Sequence, residues 1–420
     1  MNTALIRTRL GVVVLGCLGW PLLLYAEAGQ ELNLTDALQR ARAQQPALEA
    51  IRLEREALGY RVDTARLAPP LAIGVELENV AGTGQLRGTQ SAELTLSLSS
   101  VLEPGGKAPA RAGLAGAENS LRELQLLARE RDLLGDVALR FLDVAEAQAR
   151  LQLAQHAAQL SERASSSSKR RVDAGAAPAT EAQRSQMQRQ SAALDVAVAR
   201  RALDSARKLL SLAIGEPDLE IGTVRADLER LAPPAPLGGL LAEVPTAVDV
   251  MAEGARLQVA EAQLRLARAG ARGDLGWSVG ARHSQSGSDQ SLVAGLSLPL
   301  GSAGRAEPEI RRQSGLSRAA LQEQQAAELR TRALVLEAWS ALNNAAEEHA
   351  ALGGGLRESA DAVVAQTEQG YQRGRYSLLE LTAAQQEALA VRQRGLAAAV
   401  QYHRIRIELE RLLGVSLAGV

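Results

Sequence analysis

The feature that most restricts this chain is a heptad seam near its C-terminus that recurs in its middle. From Leu381 the small and apolar residues run Leu381, Ala384, Ala388, Val391, Gly395, Ala398, Tyr402, Ile405, Leu409 and Leu412. The steps alternate three and four, the spacing at which helices wrap around one another. The same steps taken 199 positions earlier give Ala182, Ser185, Arg189, Ala192, Val196, Ala199, Leu203, Ala206, Leu210 and Ala213, with only Ser185 and Arg189 departing. One long helix design used twice in a chain marks an internal duplication.

Composition supports an extended helical body. Aromatic residues are only 2% of the 420, so large core fillers are scarce and thin helical packing suits the chain better than a thick globular core. Lys and Arg number 47 against 48 Asp and Glu, without the basic excess of a nucleic-acid binder. At the N-terminus Arg7 and Arg9 precede an apolar run, Leu10 to Leu24, and then Ala26-Glu27-Ala28. This is a secretory signal with a small-x-small cleavage site, so residues 1–28 are read as a signal peptide. Cys17, the only cysteine, sits inside that run, and Leu18 to Leu24 continues past it. It is read as discarded on cleavage, with lipid attachment as the alternative. No later stretch has the roughly 18 apolar residues of a spanning helix.

Each half of the remaining chain repeats one plan. In the first, residues 29–215, the spacing predicts a helix from Leu32 to about Arg66. Thr35 or Asp36 caps it, Pro46 kinks or splits it, and Pro69-Pro70 ends it. Leu71–Asn79 and Gln90–Leu98 alternate in polarity and predict a β-hairpin. After Pro104-Gly105-Gly106 a helix of some 65 residues runs to about Arg171, roughly 100 Å of rise. A turn at Asp173 to Pro178 leads into the return helix Ala179–Ile214, which Gly215 closes. Residues 216–244, with Ala232-Pro233-Pro234-Ala235-Pro236, break the helical pattern. In the second half, 245–420, a helix runs from Pro245 to Ala269, strands cover Leu275–His283 and Gln290–Leu298, and Gly304-Arg305-Ala306 echoes Gly106-Lys107-Ala108. A long helix then reaches Tyr371, and Tyr371-Gln372-Arg373-Gly374 turns the chain into the seam helix from about Ser377.

Four strands cannot close a barrel, and open edges in lipid leave backbone groups unpaired. Three copies would supply twelve strands and six helical hairpins. The expected fold is therefore mainly α with a small β part. Duplicated long antiparallel hairpins form an α-barrel, and four strands per chain contribute to a trimeric 12-stranded transmembrane β-barrel. Leu, Ile and Val face lipid, while Glu93, Thr95 and Ser97 face a watery lumen. The aromatic girdle expected at a barrel rim is thin, with only Trp277 and Tyr60 nearby.

The plan resembles the outer membrane efflux protein family, the TolC-like channels. The likeness rests on Leu34-Thr35-Asp36-Ala37-Leu38 with Pro46, on the hairpin ending at Leu98, on Tyr371 to Glu380, and on the closing Glu410-Arg411-Leu412-Leu413-Gly414. Glu103-Pro104-Gly105-Gly106-Lys107-Ala108 is similar to the Glu-Leu-Gly-Gly-Lys-Arg stretch of the heavy-metal, CzcC-like branch, with Pro104 and Ala108 departing. The resemblance implies a homotrimeric duct in outer-membrane lipid, served by a periplasmic adaptor (membrane fusion protein) and an inner-membrane RND pump. It implies a gate at the periplasmic tip, for which Gly175, Glu181, Tyr371, Gly374, Arg375 and Glu380 are the candidates. Tyr371 and Arg375 would make tip contacts that hold a closed state, or else be solvated turn residues. Glu380 is the acidic gate position, and Glu181 is its first-half counterpart. Ser377-Leu378-Leu379-Glu380 is equally a capping box, which needs no channel role. Within the class, a duct for type I protein secretion is the second reading. Outside it, a periplasmic adaptor or coiled-coil scaffold would carry one hairpin set rather than two.

Other features carry less. His156, His283, His349 and His403 show no metal-ligand spacing, so neither metal site nor cofactor is expected. Gly353-Gly354-Gly355 lacks the strand and the Lys-Ser/Thr of a phosphate loop and reads as a helix break or a close packing point. Ser165 to Ser168 with Lys169-Arg170-Arg171 reads as a solvated face. No nucleophile, zinc or paired-carboxylate signature supports an enzyme.

Overall fold

The computed structural model describes Gln30–Gly414, so the signal segment and Cys17 lie outside the described residues. The first helical stretch is split in two, α1 Leu34–Gln44 and α2 Pro46–Arg66. Pro46 takes the first helical position of α2, where its missing N–H costs nothing. The cap of α1 is Asn33, not Thr35 or Asp36. The Asn33 side chain accepts from the Asp36 N–H at 2.8 Å, because its extended backbone leaves that carbonyl oxygen over the first turn.

The first hairpin follows as β2 Ala72–Glu78 and β3 Glu93–Leu102. Strand β3 starts three residues later than the alternation predicts. Then α3, Lys107–Asp173, runs 67 residues unbroken, and α4, Ala179–Ile214, returns along it. In the second half, α6 Val248–Gly270 precedes β5 Leu275–Ser284 and β6 Asp289–Ser297. Helix α7 spans Ser302–Ala351, α8 Arg357–Gln372 and α9 Leu378–Leu413. The echo at Gly304 is one of sequence only. Gly301, at φ +75°, begins α7 as Gly106, at φ +76°, begins α3, and Gly304 lies inside the helix.

Residues 216–244 are more than a break. Strand β4, Ile221–Val224, pairs in parallel with β1, Gln30–Leu32, and a short helix α5 covers Leu237–Ala242. Prolines cannot extend this pairing, so free carbonyls of the segment take side-chain donors from the bundle instead. Trp339 Nε1 donates to the Ala235 carbonyl at 3.0 Å, and the Tyr402 hydroxyl donates to that of Ala232. Gln148 binds both backbone groups of Val224, at 2.7 and 3.0 Å. The segment is thereby strapped across the waist of both hairpins.

The four long strands form one antiparallel sheet in the order β2-β3-β5-β6, so β2 and β6 are open edges. The register places Ile73 opposite Leu98, Leu98 opposite Val279, and Val279 opposite Ala294 on one face. Ile73, Val75, Leu96, Leu292 and Leu296 on that face are all more than half exposed. The main core lies lower, where Val137, Phe141, Leu142 and Val144 of α3 meet Leu203, Leu210 and Ile214 of α4. Along both seams every residue is buried or half-buried. Ser185 fits by turning its hydroxyl back to the Ala182 carbonyl at 2.9 Å, and Arg189 reaches Glu162 at 3.2 Å. Among the described residues no helix is long and apolar enough to cross a membrane.

Candidate functional site

The two helical hairpins end in the same turn. In the first, Gly175 at φ +71° donates to the Val172 carbonyl at 2.9 Å, and Ala176 donates to that of Arg171 at 2.8 Å. In the second, Gly374 at φ +74° donates to the Tyr371 carbonyl at 3.0 Å, and Arg375 to that of Gly370 at 2.8 Å. Both are Schellman closures, which require a left-handed residue after the helix and so place glycine there.

The helices that leave these turns begin differently. Ser377 caps α9. The Glu380 N–H reaches Ser377 Oγ at 3.3 Å, and Glu380 Oε2 accepts from the Ser377 N–H at 2.7 Å and its hydroxyl at 2.8 Å. The predicted capping box is thus formed, and the Ser377 backbone and hydroxyl donors hold the exposed Glu380 carboxyl below its usual pKa. Pro178 stands at the equivalent cap of α4, where no side chain accepts a bond. Glu181, the counterpart of Glu380, therefore has no capping duty.

Glu181 turns to the other hairpin. The Tyr371 hydroxyl, on a side chain that is fully buried, donates to Glu181 Oε1 at 2.7 Å. Arg171 lies over the same ring at 4.6 Å from its centroid and donates to the Tyr371 carbonyl at 2.6 Å. Its Nε is 3.8 Å from Glu181 Oε1. Burial, and then the hydrogen bond to Glu181, push the Tyr371 phenol up to about 12, so it stays a donor at neutral pH. Ala164, Leu378 and Leu381 pack around the ring. One acid from the first repeat, one phenol from the second and one guanidinium thus cross-link the two hairpins. A charge-assisted hydrogen bond contributes about 1.5–3 kcal/mol, and an arginine stacked on an aromatic ring about 0.5–2.

The structure brings Glu181 and Tyr371 together in this knot, and Gly175 and Gly374 close the turns that follow Arg171 and Tyr371. It leaves Arg375 and Glu380 exposed beside it. Arg171 belongs to a stretch whose sequence predicts a solvated face, yet its side chain is folded over Tyr371. Ser167 and Ser168 are buried and Arg171 is half-buried, while Lys169 and Arg170 do face water. Gly370 carries no signal in the sequence. A Cβ there would run into the Tyr376 ring.

At the other end of the molecule, Glu93, Thr95 and Ser97 lie on the sheet face opposite the leucines, with Thr95 buried under Arg282. His283 lies in β5, paired with Leu94 on the other face of this sheet. His403 is buried with Nε2 3.2 Å from the Leu228 carbonyl, and His349 Nδ1 is 3.1 Å from that of Gly395. Among the described residues no group of three His, Cys, Asp or Glu gathers as a metal site.

A family model described as outer membrane efflux protein matches residues 37–216 and 246–415. Among curated proteins, the cobalt-zinc-cadmium resistance protein CzcC of Cupriavidus metallidurans is 27% identical over 275 residues, 65% of this chain. The chain spans 64% of the length of that relative. Among solved structures, a membrane protein from Pseudomonas aeruginosa is similar with a TM-score of 0.75 at 20% identity, over 91% of this chain and 93% of its own. CusC, described with its transmembrane channel formation, is similar with a TM-score of 0.75 at 17% identity, over 93% and 95%. At such identities the likeness of the structures is one of fold.

Proposed function

Because the chain belongs to the outer membrane efflux protein family, we propose that three copies of it form the exit duct of a tripartite efflux system. Family membership makes it an outer-membrane efflux channel with a large periplasmic helical part. The observation that carries the assembly is the four-stranded sheet, open at β2 and β6 and mostly apolar on one face, where Ser100, His283 and Gln290 are the polar members. Neither open edge is tolerable in lipid. Pairing β6 of one copy with β2 of the next in a closed ring of three removes both.

In this reading residues 29–215 and 245–420 supply alternate staves of a helical tunnel, and 216–244 is the belt around it. The chain has no energy source of its own. A periplasmic adaptor and an inner-membrane RND pump deliver cargo to the tip. The Tyr371–Glu181–Arg171 knot holds the tip closed, and Glu380, repeated by the threefold axis, favours cations there. The similarity to CzcC supports heavy-metal cations as cargo, passing through water rather than being chelated.

The assembly is tested by extraction in mild detergent and insertion into planar bilayers. Trimers that open ion-conducting pores are expected. A monomer that leaves membranes in a salt wash and makes no pore would instead indicate a periplasmic scaffold. The cargo is tested by deleting the gene and measuring growth on cobalt, zinc and cadmium salts. Unchanged tolerance to all three would remove the metal reading and leave the duct.

A further inference from the structure

The polar face of the sheet is not uniform. Toward the helices it carries small uncharged residues, with Gly74, Ser97 and Gly280 in one register row and Ser99, Ser278 and Gly295 in another. Toward the hairpin turns it carries charge. Glu78 and Glu93 stand directly opposite each other, in the row that ends with Ser284 and Asp289. Glu76, exposed, and Arg282 belong to the next row, on either side of Thr95.

Two carboxylates directly across a strand pair repel each other. Arg282 resolves this by reaching both. Its Nη2 is 2.8 Å from Glu78 Oε2, its Nη1 is 3.0 Å from Glu93 Oε2, and its Nε donates to Thr95 Oγ1 at 2.9 Å. The fork is held on three sides, and Thr95 beneath it is only 4% exposed. Four carboxylates and one guanidinium therefore share the outer two rows of this face, and Arg282 cancels the pair that lies closest together.

We infer that Arg282 is the specificity-determining residue of the outer mouth, setting how strongly that rim attracts cations. This rests on the proposed three-copy duct, in which the polar face lines the lumen and the hairpin turns point away from the periplasm. Threefold repetition then makes a ring of twelve carboxylates and three arginines. A rim of one sign against low-dielectric walls concentrates counter-ions. The charge left uncovered by Arg282 decides that concentration, at the end of the duct opposite the tip.

The test uses hexamminecobalt, an inert trivalent cation, as a blocker of single channels formed by the full chain. Protein added to one chamber leaves its helical part there, so the opposite chamber faces the outer mouth. Arg282→Gln uncovers Glu78 and Glu93 and should lower the half-blocking concentration from the opposite chamber by at least roughly threefold. The double change Glu78→Gln and Glu93→Gln leaves a bare arginine and should raise it by a similar factor. Neither should alter block from the tip side. Should Arg282→Gln fail to insert, Glu76→Gln, which breaks no ion pair, should still raise the outer half-blocking concentration. Equal block across the variants, or shifts of the same sign for the arginine and glutamate changes, would overturn the inference. An unmodified chain that forms no pore would overturn the duct itself, which is a separate result.

Discussion

At the scale of single residues, two glutamates at matching places in the repeats have come to do different work. Tyr371→Phe removes the hydroxyl that Glu181 accepts from, which in the proposed gate costs about 1.5–3 kcal/mol of closed-state stability. Single-channel recording should show open probability rising by about one to two orders of magnitude. An unchanged value would reduce the knot to a packing feature. Pro178→Ser gives α4 the cap that α9 has, and Glu181 would then fold back into a capping box. The same recordings should show a looser tip, while helix content is kept or raised. Glu380→Gln should reduce cation preference in reversal-potential measurements, and unchanged selectivity would leave Glu380 as a cap alone. The Glu380 carboxyl is depressed in the fold, so its contribution is complete above the ordinary carboxylate range. It is lost only as the pH falls through its lowered value. Fraying at the start of α9, read by amide exchange, should therefore appear only in acid below that range.

At the scale of elements, the second hairpin differs from the first by one interruption. Between α7 and α8 the chain makes a wide turn over Leu352–Leu356, and Gly354 leaves helical geometry at ψ −135°. No Cβ placed on Gly353, Gly354 or Gly355 would meet a neighbour, so packing does not demand these glycines. The triplet is a break and not a close packing point. Converting all three to alanine should raise the melting temperature, at about 1 kcal/mol for each residue made helical. A fall would show that the wide turn is required. The long elements were legible in sequence because period and punctuation agree there. The helix Ala179–Ile214 and both hairpins follow from their seams, prolines and glycines alone. What escaped depended on partners distant in the chain. Arg171 is one of three adjacent basic residues, and only the return of Tyr371 distinguishes it from Lys169 and Arg170. Arg282 has no local signal, since its two carboxylates sit on other strands. Strand β4 is four residues long and acquires its identity from β1.

At the scale of the molecule, the proposed duct would set one face of the sheet against lipid and the other against water. Val75→Arg places a charge on the apolar face at a cost of about 2–4 kcal/mol if it lies near the bilayer centre. Ser97→Arg places the same charge on the polar face. The first should reduce the yield of inserted trimer, and the second should insert normally with lower conductance. Equal yields would argue against the assignment of faces. The fold also has a consequence in length. Helix α3 runs from the sheet to the tip without interruption, 67 residues long, so the distance between those two ends is written in residue count at 1.5 Å each. The molecule carries its own ruler. Adding one heptad to each long helix would lengthen the body by about 10 Å while returning every seam to its former side. Adding three residues would change the height less and misdirect the seams. Such a family of rulers would show how wide a gap the duct can bridge before it loses contact with whatever stands beneath it.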